Sequence, residues 1–183
     1  MIQVVDIGYP QIYQLTDTID LYEDYIVTPI FDLDIEKLFA SSVSGIIISH
    51  GSLLPNSSPY ERALESIKEI IKSPIPILGI GLGHHLIGQS CGAQVATTQY
   101  YNDVVDISIL DSESPLFNRL PEEISMVVDS ALSTSIPSDF ILLATSDSNI
   151  NESMKHRNKA IYGVQFLPER SGNLGALIIE NFV

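Results

Sequence analysis

Short apolar runs alternate with amphipathic stretches through the first half of the chain. Ile2–Val5 is mostly apolar and is stopped by Asp6 and Gly8, which reads as a buried first strand. A polar stretch over Gln11–Leu21 has helical spacing, and Tyr25–Pro29 reads as a second strand. Asp34–Ala40 puts Ile35, Leu38 and Phe39 on one predicted helical face. Gly45–Ser49 is a third apolar strand followed by a loop. Ser58-Pro59-Tyr60-Glu61 has the pattern of a capping box with Pro at the first helical position. Tyr60, Leu64, Ile67 and Ile71 then recur at helical spacing as far as Lys72. Pro76–Ile80 is a fourth strand, and it runs straight into a glycine-rich turn and a helix that ends at Gly92.

The second half has a different rhythm. Val104–Leu110, Ile124–Val128, Phe140–Thr145 and Ala160–Phe166 are strand-like with few helices between them, and Leu174–Phe182 closes as a helix. Alternating strands and helices predict a mostly parallel sheet with helices on both faces. The strand-rich second half adds an antiparallel or mixed extension, so the fold class is α/β. No repeat, low-complexity tract or linker divides the chain, and residues 1–183 are expected to form a single domain.

Composition narrows the functional classes. The 183 residues are 45% hydrophobic, enough for a packed core. Lys+Arg is 9 against Asp+Glu 23, a net charge of −14. Such a surface repels phosphate backbones and anionic lipid, so neither nucleic acid nor a membrane is an expected partner. Cys91 is the single cysteine, which excludes an intrachain disulfide and a cysteine-rich zinc site. The opening MIQVVDIGYP has no basic segment followed by an apolar run, so no signal peptide and a cytoplasmic location are expected.

In open α/β sheets, sites form at the carboxyl ends of strands. Three such ends carry unusual residues: Ser49-His50-Gly51-Ser52, the turn Gly79-Ile80-Gly81-Leu82-Gly83-His84-His85, and Gly163-Val164-Gln165-Phe166-Leu167-Pro168-Glu169. In this order and spacing they resemble the class I glutamine amidotransferases, whose elbow reads G-I-C-x-G-H-Q, whose late motif reads G-V-Q-F-H-P-E and whose oxyanion loop reads S-G-G-P. The resemblance spans almost the whole chain and implies a flavodoxin-like fold. Length, Met154-Lys155-His156 and Ile161-Tyr162-Gly163 look most like the separate amidotransferase subunit of archaeal two-subunit GMP synthases, which act in purine biosynthesis.

The resemblance implies a chemistry that this chain has lost. In the family a cysteine thiolate attacks the glutamine amide, a histidine moves the protons and a glutamate orients the histidine. Backbone N–H groups hold the oxyanion, and the ammonia passes to a synthetase. Here the nucleophile position is Gly81 and the base position is Leu167, while Glu169 is retained. Gly51 and Leu82 still offer the oxyanion N–H groups, and His85 stands at the elbow glutamine. The family's S-H-x-D segment falls near Ser130-Ala131-Leu132-Ser133 and lacks its histidine. The resemblance therefore implies a pseudoenzyme that partners or regulates a synthetase, such as an ATP-pyrophosphatase subunit.

Two other readings stay open at this stage. The emptied pocket would suit a sensor of glutamine or another small amide. His50, His84, His85 and Glu169 would support non-family chemistry if the fold gathered them. Adjacent helical residues diverge by about 100°, which argues against His84 and His85 sharing one ion. No metal or other cofactor is expected, and with no G-x-x-x-x-G-K-[ST] motif nucleotide binding is disfavoured. Cys91 lies ten residues past Gly81, roughly 10 Å or more along a helix, and is expected to be a small buried hydrophobe.

Overall fold

The computed structural model describes Met1–Val183. Nine strands form one sheet: β1 (Ile2–Asp6), β2 (Tyr25–Pro29), β3 (Gly45–Ile48), β4 (Ile77–Ile80), β5 (Val95–Ile109), β6 (Glu123–Thr134), β7 (Phe140–Thr145), β8 (Ser153–His156) and β9 (Ile161–Val164). Five helices accompany them: α1 (Ile12–Ile19), α2 (Ile35–Ala40), α3 (Ser58–Ile70), α4 (Leu82–Ser90) and α5 (Gly172–Phe182). Short 3₁₀ turns cover Pro115–Phe117 and Pro168–Arg170.

The strand order is β2-β1-β3-β4-β9-β8-β7-β5-β6. The β2-β1-β3-β4-β9 half is parallel, and every pairing from β9 to β6 is antiparallel. Successive strand residues face opposite sides, so the sheet carries a core on each face. Val4, Ile47, Leu78 and Ile80 pack with Leu15 and Ile19 of α1 and Ile178 and Ile179 of α5. Val5, Ile46, Ile48 and Ile77 pack with Leu38 of α2, Leu64 and Ile67 of α3 and Leu86 and Ile87 of α4. The α/β class and the mixed sheet covered on both faces agree with the reading of the sequence.

Several local expectations need correction. Ser57, not Ser58, caps α3: its hydroxyl accepts the Tyr60 N–H at 3.3 Å, and Pro59 sits one place further in. Ala63 and Ile70 are buried on this helix, whereas Ile71 lies past its end and is only part-buried. Phe39 is exposed, because α2 is six residues long and buries Leu38 alone. Cys91 is half-buried as the C-cap of α4, not a core residue. β5 and β6 are far longer than their apolar centres, and the sequence pattern does not announce β8.

Candidate functional site

The three motif-bearing loops meet because their strands are neighbours. β3, β4 and β9 lie side by side and parallel, so Ser49–Ser52, Gly81 and Gln165–Glu169 leave the same edge of the sheet. Gly81 has φ 55° and ψ −111°, a backbone that costs a side-chain-bearing residue about 1–3 kcal/mol. Its N–H donates to the Val164 carbonyl at 2.8 Å, which locks the turn to β9. Helix α4 begins at the next residue, with the Leu82 N–H at its first turn.

His50 dominates this corner. Its Nδ1 accepts the Leu82 N–H at 3.2 Å. Tyr9 stands edge-on to its ring, with centroids 5.2 Å apart at 81°. Tyr9 is itself placed by Asp6, whose Oδ1 accepts the N–H groups of Gly8 and Tyr9, each at 2.9 Å. Burial lowers the His50 pKa from 6.5 to about 4, with Asp129 pulling slightly the other way. The ring is therefore neutral at pH 7, and an accepting Nδ1 puts the proton on Nε2.

His50, Gly51, Leu82 and His85 line one cleft of about 430 Å³. Ser130, Ala131 and Leu132 form its far wall, and Leu54 and Tyr100 also border it. His85 is buried, with Nδ1 bonded to Thr134 Oγ1 and Nε2 3.3 Å from Ser130 Oγ. Burial, with the neighbouring His84 and His50, holds its pKa well below 6.5. Asp129 at the rim pairs with Arg170 at 2.9 Å and accepts the Tyr100 hydroxyl at 2.8 Å.

Of the remaining candidate residues, Leu167 stays beside the apex, where a Cβ at Gly81 would lie 3.1 Å from its Cδ2, while His84 and Glu169 lie outside the cleft. Leu167 is fully buried and packs in the core cluster that contains α1 and α5, and its N–H bonds the Val127 carbonyl at 2.8 Å. Both oxygens of the Glu169 carboxylate are out of solvent and unpartnered, and burial raises its pKa from 4.5 to about 7. The Tyr9 hydroxyl and Glu169 influence each other electrostatically, but no bond of good geometry joins them. His84 is sealed from solvent against Gly163, and neither of its nitrogens has a partner. The fold thus brings His50 and His85 to one cleft and leaves His84 and Glu169 out of it. No three His, Cys, Asp or Glu side chains are placed to hold a metal ion together. Sequence reasoning missed Tyr9, Tyr100, Asp129 and Arg170. Asp6-Ile7-Gly8 is the one legible signal, a turn that positions Tyr9.

Residues 4–183 match the family described as glutamine amidotransferase class-I. The chain belongs to that family. It is 38% identical over 152 residues to the A subunit of GMP synthase [glutamine-hydrolyzing] from Pyrococcus furiosus, covering 81% of this chain and 78% of that protein. It is 35% identical over 150 residues to GMP synthase [glutamine-hydrolyzing] of Bacillus cereus, covering 81% of this chain but 29% of that longer one. A crystal structure of a Thermoplasma acidophilum protein assigned as the A subunit of a GMP synthase superposes with a TM-score of 0.88 at 28% identity, covering 99% of this chain and 90% of that one. Among the amidotransferases, then, the chain is similar to the A subunit of GMP synthase. No helix is long and apolar enough to cross a membrane.

Proposed function

We propose that this chain is an amidotransferase of the GMP synthase type that does not hydrolyse glutamine and serves as partner or regulatory subunit of a synthetase. One observation carries the reading: the apex of the strand–turn–helix is Gly81, in the strained conformation that presents a nucleophile, with no side chain to present. Leu167, at the base position, cannot take a proton and is packed in the core. Glu169 is left as a carboxyl with no imidazole to orient. In this reading the fold keeps the elbow because strand–turn–helix packing belongs to the core, and glycine relieves the strain at its apex.

A glutaminase assay on the purified protein tests this. Loss of the nucleophile alone costs on the order of 10⁶-fold in comparable triads. Hydrolysis is expected to stay at background. A turnover of about one per second, the low end of ordinary enzymes, would overturn the reading.

The partner is an ATP-pyrophosphatase synthetase subunit in this reading. Two relatives support it: the A subunit of one GMP synthase, and a longer GMP synthase chain in which the matched region is 29% of the length. A second reading has one observation in its favour: the cleft remains open at about 430 Å³, room enough for a small amide. A thermal shift with glutamine and related amides separates the two, because a sensor is stabilised by its ligand and a pure partner subunit is not.

A further inference from the structure

Gly81 and His50 are fitted to each other. A Cβ at position 81 would collide with His50 Nδ1, lie 3.0 Å from its Cγ and 3.1 Å from Leu167 Cδ2. The same Nδ1 takes the Leu82 N–H, and Tyr9 holds the ring from its edge. The imidazole is fixed against the turn by a hydrogen bond and by packing.

We propose that His50 is an intramolecular occupant of the cleft: it takes the Leu82 N–H, fills the space above the apex and closes that end of the cleft to a substrate carbonyl. This rests on reading the cleft as the family's glutamine site, and it adds a blocking residue to the missing thiol and base. An N–H already bonded to an imidazole is not free to hold an oxyanion, and the ring occupies the volume through which a thiol at position 81 would reach substrate. Restoring the thiol and the base would therefore leave the site shut until His50 is also removed. Nδ1 is the acceptor, so Nε2–H is the donor that His50 offers to the cleft.

Two measurements test this without reading turnover. The first is nuclear magnetic resonance on the intact protein and on His50→Gly. The His50 ring is expected as the Nε2–H tautomer with an unprotonated Nδ1, and the Leu82 amide proton is expected to shift upfield on substitution. A protonated Nδ1, or an unmoved Leu82 amide, overturns the proposal. The second compares iodoacetamide alkylation of Gly81→Cys with Gly81→Cys/His50→Gly, both carrying Cys91→Ser so that the new thiol is the one labelled. The double variant is expected to react on the order of tenfold faster, since the imidazole no longer covers the thiol. Equal rates overturn the proposal. If Gly81→Cys folds only when His50→Gly accompanies it, the same collision is read as stability and supports the proposal. Glutamine hydrolysis by the native protein would sink the inactive-subunit reading and leave these readouts standing. Equal alkylation would sink the plug and leave the inactivity standing.

Discussion

Glu152 shows at the scale of one residue what burial does to an unmatched acid. It is fully buried, one oxygen accepts the Ser146 hydroxyl at 2.7 Å, and the other has no partner. Desolvation raises its pKa from 4.5 to about 7, against the smaller opposing effect of Ser146. A raised folded pKa means that the folded state holds the proton more tightly than the unfolded chain does. The stabilisation is full below 4.5 and is lost as pH rises through about 7. His84 works in the opposite direction: burial lowers it from 6.5 to about 4, so its contribution is present above 6.5 and lost as pH falls through about 4. The wild-type stability curve mixes these with the shifted Glu169, His50 and His85, and only the difference from a variant isolates one group. Glu152→Gln keeps the shape and cannot titrate. Relative to that variant, the wild type is expected to lose up to roughly 3 kcal/mol between about pH 4.5 and pH 8. Urea midpoints at the two pH values measure it, and a pH-independent difference rules it out.

The β4–turn–α4 unit shows how an element constrains its neighbours. α4 packs His84 so closely on β9 that a Cβ at Gly163 would lie 2.6 Å from its Nδ1 and 3.3 Å from Met154 Cε. His84 and Met154 are both fully buried, so neither has open space to move into. Gly163→Ala is expected to destabilise by about 1–3 kcal/mol, as overpacked cores do. His84→Ala should recover part of that loss when combined with it, and additive urea midpoints in a double-mutant cycle would show that the two residues do not conflict. Buried parallel strands are apolar on both faces, so Ile46–Ile48 and Ile77–Ile80 were legible as runs. The ends of the β5–β6 pair were not. Residues 97–101 are exposed, polar or aromatic, and present no buried face to find. β8 is four residues long with Met154 its sole apolar side chain, too short for a period. At the site, the sequence placed Gly81, Gly51 and Leu82 on adjoining loops, because motif order maps onto strand ends. It did not show His50 bonded to the Leu82 N–H or Leu167 drawn into the core, since both contacts depend on the packing of distant segments.

At the scale of the whole molecule, surface charge and cleft rim bear on what the chain would bind. With a net charge of −14, the surface favours a basic partner face and opposes anions. Leu54 and Tyr100 at the rim of the cleft are 73% and 60% exposed, so they present apolar surface beside it. A synthetase that docked there would cover both side chains and seal the cleft from water. The chain is accordingly expected to co-purify with an ammonia-dependent synthetase of the same cell, or to change its activity when added. Association should weaken as salt is raised towards about 1 M, where charges act over only about 3 Å. Leu54→Asp and Tyr100→Asp should weaken it further with little loss of fold stability, because neither side chain is part of the core. Pull-down, synthetase assays and urea midpoints on these variants read binding and folding separately. If no synthetase is recovered and none responds to added protein, the partner reading fails and the small-amide sensor takes its place. If binding persists unchanged in both variants, the partner docks on another face, and the cleft stays open to solvent in the complex.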